Sequence, residues 1–357
     1  MREYEKNIRK VEPYVPGEQP QNKVIKLNTN ENPYPPSPRV AKALEEMDSD
    51  RFRLYPDPAC TALTEALADF YHVNPDQVFV GVGSDDVLSM CFLTFFNSDK
   101  PIFFPDITYS FYKVWAELYR IPYECQKLDG DFRIVKEDYY KENGGVIFPN
   151  PNAPTALYEE LDVVEDIIRA NPDVIVIVDE AYVDFAGRSA MELIDRYENL
   201  IVVQTFSKAR SMAGMRIGYA VSSPRLIKYL NDAKYSFNSY TMNQAALVCG
   251  VEAVKDREYF EEGLHKIIKT REWAKGRFEE LGFCCLDSRA NFIFATHPEY
   301  DAKELFEALK DNGIYVRYWG SERIEQYLRI TIGTREEMEV LFGFLERYVG
   351  RQMPGEF

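Results

Sequence analysis

Histidine is scarce in this chain: only His72, His265 and His297 occur in 357 residues, and none lies beside an obvious nucleophile. A Ser-His-Asp hydrolase and a histidine-rich metal site are therefore not expected, and no metal ligand set is read from the sequence. The six cysteines (Cys60, Cys91, Cys125, Cys249, Cys284, Cys285) form no C-x-x-C pair and no paired framework. This excludes a zinc ribbon and a disulfide scaffold, and it suits a reducing, cytoplasmic setting. The adjacent Cys284 and Cys285 read as strand packing. Long apolar runs are missing too. The stretch Val174 to Val178 is far too short to cross a bilayer, so no membrane partner is expected. The opening MREYEKNIRKVEPY is charged, has no apolar centre, and is not expected to act as a signal peptide. Excess positive charge is absent: the net charge of −16 argues against nucleic-acid binding through a general basic surface. Neither G-x-x-x-x-G-K-[ST] nor G-x-G-x-x-G occurs, which disfavours a P-loop enzyme and a dinucleotide-dependent oxidoreductase.

What is present is an alternation of short apolar strands with amphipathic helices, from about residue 78. VFVGVGS (78–84), PIFFPD (101–106), GGVIFP (144–149), DVIVIVDEAY (173–182), LIVVQTFS (200–207) and RIGYAVS (216–222) read as strands. Helical segments separate several of them, and Leu161, Val164, Ile167 and Ile168 mark one helical face. Continuous Val/Ile runs belong to strands buried on both faces. The chain is thus expected to be α/β, with a mostly parallel sheet flanked by helices. Beyond about residue 223 the texture changes. Residues 241–281 read as mostly helical, and strand, strand, helix, strand, strand, helix follow, an α+β layout for a smaller domain. The expected division is an N-terminal arm (1–33) wrapping onto the small domain, a large domain (34–240) and a small domain (241–357).

Four segments carry chemistry. TFSKARSMAGMRIGYA (205–220) starts where a strand ends, the edge at which open α/β sheets bind ligands. Lys208 there can condense with an aldehyde once nearby cations and burial lower its pKa. Thr205 and Ser207 add hydroxyls, and Arg216 a fork for an oxyanion. In VDEAY, Asp179 ends an apolar strand, where a carboxylate is costly unless a cation faces it. A protonated pyridine nitrogen is such a cation, and Tyr182, three residues on, can reach the same ring's oxygen; capping a helix is the blander role for Asp179. GVGSDD (81–86) exposes backbone N–H groups at Ser84 and Asp85 as a phosphate cradle. In YLRITIGT (327–334), Leu328, Ile330 and Ile332 share one face and leave Arg329 on the other, a fork for carboxylate or phosphate; Arg317 repeats the idea on the preceding strand.

Together with EPYVPG, NTNENPYPPSP, YPDP, ITYSFY, NPNAPT and ANF, in this order, these segments resemble the histidinol-phosphate aminotransferase family of fold-type I pyridoxal-phosphate (PLP) enzymes, nearly end to end. The resemblance implies a PLP-dependent transaminase that interconverts L-histidinol phosphate and 2-oxoglutarate with imidazole acetol phosphate and L-glutamate. It makes Lys208 the covalent attachment point and proton shuttle, pairs Asp179 with the pyridine nitrogen, and sets Tyr182 on the ring oxygen. Tyr109 stacks on the ring. Ser84, Asp85, Thr205, Ser207 and Arg216 surround the cofactor phosphate, joined by Tyr55 from a second subunit, so a homodimer is implied. Arg329 holds the substrate's carboxylate or phosphate, with Arg317, Tyr14 and Asn30 around the substrate. Three positions depart from the pattern. Ala153 replaces the asparagine that contacts the ring oxygen, leaving that contact to Asn152 or to Tyr182 alone; Arg210 sets an extra cation near the lysine; Pro35 replaces a glycine. Rival readings on the same fold are an aromatic amino-acid aminotransferase and a threonine-phosphate decarboxylase. A PLP-binding regulatory protein without turnover is the rival from another class.

Overall fold

The computed structural model describes residues 2–352. Among these residues thirteen strands run in chain order: β1 (Ile25–Lys26), β2 (Val78–Gly81), β3 (Ile102–Pro105), β4 (Tyr123–Gln126), β5 (Val146–Pro149), β6 (Val176–Asp179), β7 (Leu200–Thr205), β8 (Gly218–Ser222), β9 (Cys284–Cys285), β10 (Phe292–Thr296), β11 (Ile314–Tyr315), β12 (Arg317–Tyr318) and β13 (Leu328–Thr331). Seven build one sheet in the order β2-β8-β7-β6-β5-β3-β4. Every neighbouring pair from β7 to β4 is parallel, and only β8 runs against its two neighbours. This is the mostly parallel sheet that the Val/Ile runs imply. Every residue of β5, β6, β7 and β8 is buried, and each such Val or Ile contributes about 1.5–3 kcal/mol of burial free energy.

Separate apolar cores cover the two faces of this sheet. One collects Val146, Val176, Val178 and Val202 with the helix Leu161–Ala170. That helix buries Leu161, Val164, Ile167 and Ile168, the face its spacing predicts. The opposite core takes Ile147, Ile177 and Ile201 with the helices Ser84–Phe95 and Phe111–Tyr119. Strand alternation sends successive residues to opposite faces, so one Val/Ile run feeds both cores.

A second sheet, β12-β13-β10-β9, is antiparallel. It packs its own core with the helices Arg257–Glu280 and Ala302–Asp311. β1 pairs in parallel with β11 in a separate two-stranded sheet, and Leu27 joins the small core, so residues 25–27 are seated on that core. The helix Gln244–Lys255 buries Ala246, Cys249 and Val254 in the large core. We therefore propose the large–small boundary near Asp256 rather than between 240 and 241. The edge strand β4 was not expected from the sequence, and neither were the helices Pro38–Glu45 and Thr61–Tyr71. No described helix is long and apolar enough to cross a membrane.

Candidate active site

The carboxyl ends of β5, β6 and β7 open into a cavity of about 460 Å³, lined by Tyr14, Asn30, Ser84, Asp85, Tyr109, Asp179, Tyr182, Thr205, Ser207, Lys208, Arg216, Arg317 and Arg329. Thirteen of the fifteen residues singled out from the sequence thus converge on one space. A wider cleft of about 690 Å³ lies at the opposite strand ends, beside Gly144, Val174 and Asn199, away from all of them.

Lys208 follows β7 by three residues. Its Nζ donates to the Thr29 carbonyl at 3.0 Å and lies 5.7 Å from the Tyr182 ring centre. Burial, and then the nearby guanidinium of Arg329, pull its pKa down to about 8, with Arg216 adding to the effect against Glu31 and Asp85. An amine tuned this way is available as a nucleophile and proton carrier near neutrality.

Asp179 closes β6 and is 4% exposed. Tyr112 donates to Oδ2 at 2.7 Å and the Ala181 N–H to Oδ1 at 3.3 Å. Among the described residues no lysine or arginine pairs with it. Burial pushes its pKa up to about 6, and the two hydrogen bonds oppose that rise. A carboxylate buried this way is costly unless a cation faces it.

The cradle forms where the helix Ser84–Phe95 begins. Its first N–H groups have no intrahelical partner, and the positive end of the helix dipole faces the cavity. Gly83, at φ +88°, has no room for a Cβ, which would strike the Arg216 guanidinium. Arg216 donates from Nη1 to Ser207 Oγ at 3.3 Å and to the Ala213 carbonyl at 3.1 Å, while Nη2 lies 3.6 Å from Asp85. Tyr109 donates to the other Asp85 oxygen at 2.7 Å. Tyr182 accepts from Asn30 Nδ2 at 2.9 Å.

Opposite the cradle, Arg317 and Arg329 are direct cross-strand partners in the β12–β13 pair. Arg329 donates to the Asn28 carbonyl at 2.8 Å, its buried Nε has no partner among the described residues, and its guanidinium lies 5.1 Å from Trp319 and 5.3 Å from Phe292. Arg317 donates to the Val15 carbonyl at 3.3 Å and also packs on Trp319. Among the described residues neither arginine forms an ion pair. Tyr14 stacks on Phe111 at 4.2 Å.

Over residues 22–345 the chain matches the sequence profile of aminotransferase class I and II. It is 50% identical over 353 residues to the histidinol-phosphate aminotransferase of Clostridium botulinum (strain Kyoto, type A2), covering 98% of this chain and 100% of that one. A Lactococcus lactis subsp. cremoris histidinol-phosphate aminotransferase is 49% identical, with 97% and 98% covered. The chain belongs to the histidinol-phosphate aminotransferase family. The fold agrees with that of the Sinorhizobium meliloti histidinol-phosphate aminotransferase solved in complex with pyridoxal-5'-phosphate, at a TM-score of 0.83, 24% identity and 92% of each chain covered. The family makes this chain a PLP-dependent transaminase.

The donor set of the cavity fits that cofactor on three counts. Asp179 is a buried carboxylate with no cation, the helix start at Ser84 with Thr205, Ser207 and Arg216 suits a phosphate, and Lys208 has a depressed pKa. One residue expected at this cavity is not brought to it, and Tyr55, expected to reach the cavity of a second subunit, does not line its own. Asn152 is turned away: it accepts from Thr108 at 2.9 Å and donates to the Ile107 carbonyl and Thr155 at 3.0 Å each, while Ala153 takes the cavity wall. Tyr55 is 80% exposed and stacks on Tyr240 at 4.5 Å.

Asn30 lines the cavity, but its amide is committed to Tyr182 and Thr331. Arg210, expected as a cation near the lysine, is buried instead between Phe70, Phe206 and Phe260 and donates to the Ala253 carbonyl. Pro35 lies outside the cavity and accepts from Tyr259 through its carbonyl. Tyr112, Thr29 and Trp319 also belong to the site and carry no signal singled out in the sequence. The first sits three residues after Tyr109 in ITYSFY, a helical spacing that could have signalled it.

Proposed function

We propose that this chain transfers the amino group of L-histidinol phosphate to 2-oxoglutarate, giving imidazole acetol phosphate and L-glutamate, with PLP held in the 460 Å³ cavity. When bound, PLP supplies an electron sink for the pair released when the substrate's α-carbon loses its proton. Asp179 supplies the negative charge that keeps a ring nitrogen protonated. Ser84, Asp85, Thr205, Ser207 and Arg216 bind a phosphate at the helix start, and Tyr109 and Tyr182 orient the ring. Lys208 Nζ anchors the cofactor and then carries a proton to and from the substrate, which its pKa of about 8 permits in both directions.

The observation that carries the substrate reading is the pair Arg317 and Arg329. Two guanidinium groups without acid partners face the same cavity as Lys208, so both substrates of the reaction, each with an anionic tail, find a fork there. The full-length kinship with histidinol-phosphate aminotransferases supports the same choice. Tyr55, exposed and outside the lining of its own cavity, suits the phosphate of a second copy, and we propose a cytoplasmic homodimer. Its mass in solution, measured by sedimentation, tests that part. For the substrate, kcat/KM should be highest for histidinol phosphate among histidinol phosphate, phenylalanine, tyrosine and threonine phosphate. A preference for phenylalanine or tyrosine would transfer the assignment to an aromatic aminotransferase, and release of carbon dioxide from threonine phosphate would transfer it to a decarboxylase.

A further inference from the structure

We propose that Asn30 and Thr331 are positioning residues that set the direction of the Tyr182 hydroxyl. They hold the Asn30 amide with its NH2 towards Tyr182 Oη, which leaves the phenol's own proton to point into the cavity. The inference rests on the reading that Tyr182 faces the cofactor's ring oxygen.

The Asn30 backbone N–H donates to Thr331 Oγ1 at 3.0 Å, and Thr331 Oγ1 lies 3.1 Å from Asn30 Oδ1. A hydroxyl has one proton, and Oδ1 can only accept, so the Thr331 proton goes to Oδ1. Nδ2 is then the atom that meets Tyr182, at 2.9 Å, and the phenol oxygen accepts there. The reversed amide would turn Nδ2 onto Thr331 and strand that hydroxyl's proton. Thr331 is 2% exposed and Asn30 1%, so no water relieves such a loss. Asn30 is further pinned by Asn291 Nδ2, which donates to its carbonyl at 3.0 Å, and it adopts φ +57°, a conformation asparagine tolerates.

No described side chain accepts the Tyr182 proton, and the ring lines the cavity. Nearby, Ala153 offers only a methyl, and Asn152 has its amide engaged elsewhere. Thr331 lies on β13 of the small sheet and Tyr182 follows β6 of the large one. The relay therefore ties the phenol's direction to the seating of the small sheet.

The test is a pH titration of the absorbance of the lysine-linked cofactor in the holoenzyme, with circular dichroism to establish folding. A donor to the ring oxygen favours its anionic form and so lowers the pKa of the linked chromophore. Tyr182→Phe should raise that pKa by about one unit or more. Thr331→Val, which frees the amide to turn, and Asn30→Asp, whose ionised carboxylate can only accept and so draws the phenol's proton away, should each raise it in the same direction. Neither should add appreciably to Tyr182→Phe, and Thr331→Ser should keep the wild-type value. Should Asn30→Asp fail to fold, the Thr331→Val and Thr331→Ser pair decides. A shift from Tyr182→Phe with none from Thr331→Val overturns the relay while leaving Tyr182 at the ring. Shifts that persist unchanged in the Tyr182→Phe background also overturn it, since a through-space charge effect does not need the phenol. No shift from Tyr182→Phe overturns the underlying reading of Tyr182.

Discussion

Asp179→Asn should act in opposite directions on the cofactor-free and cofactor-loaded protein. In the cofactor-free chain the carboxylate is buried, receives one good hydrogen bond from Tyr112, and pairs with no cation among the described residues. Its pKa rises from 3.8 to about 6. A raised folded-state pKa means that the folded chain holds a proton the unfolded chain has already lost. The stability this confers is complete below about pH 4 and is lost as pH climbs through 6, a change of about 3 kcal/mol. At pH 8 the cofactor-free protein therefore carries an ionised, unpaired Asp179. Asparagine removes that charge, so cofactor-free Asp179→Asn should melt at or above the wild-type temperature at pH 8, with the advantage shrinking towards pH 4.

Loading the cofactor reverses the order. In the proposed placement the wild-type carboxylate gains a cationic partner, and its removal should strand the ring's charge, at a cost of about 3–5 kcal/mol. Cofactor affinity should fall by about two to four orders of magnitude, and the thermal shift on loading should shrink accordingly. Differential scanning calorimetry of both proteins, with and without PLP, at pH 5 and pH 8 reads all four states. A cofactor-free Asp179→Asn destabilised equally at both pH values would refute the burial argument, and a loading shift equal to that of wild type would refute the placement of this carboxylate against the ring nitrogen.

Lys208→Ala should abolish turnover and the borohydride-trappable link, while PLP still binds through its phosphate in equilibrium dialysis. Arg329→Ala should fold and bind PLP but lose activity towards both glutamate and histidinol phosphate, as separate half-reaction kinetics will register. Arg317→Ala should harm the histidinol-phosphate half-reaction more, because a second cation matters more for a doubly charged phosphate; the reverse ordering counts against the paired-fork reading. Gly218→Ala should weaken cofactor binding sharply, since its Cβ would strike the backbone of Gly83 and Ser84 at the start of the cradle helix; fluorescence titration with PLP measures the loss.

How far the molecule can be read from its sequence depends on whether a feature is set by local pattern or by distant partners. The Val/Ile runs of β6 and β7 pack on both faces, so their composition alone marks them as central parallel strands. Strand β4 escapes because it is a four-residue edge, with Glu124 and Cys125 exposed and no apolar run to announce it. Lys208, Asp179 and Arg216 are legible because each is a costly or reactive group at a strand end, where the topology leaves one place to go.

The direction of a side chain within a turn is different, because contacts far along the chain decide it. Asn152 is adjacent to the cavity-lining Ala153, yet Thr108 and Ile107, more than forty residues earlier, turn it away. Arg210 is two residues from Lys208, and spacing alone suggested a cation beside the amine. Three aromatic rings contributed by Phe70, Phe206 and Phe260 hold its guanidinium in the opposite direction. The cations acting on Lys208 are instead Arg329, 121 residues away in sequence, and Arg216 across the turn. The electrostatics of this lysine are thus a property of how the small sheet meets the large one.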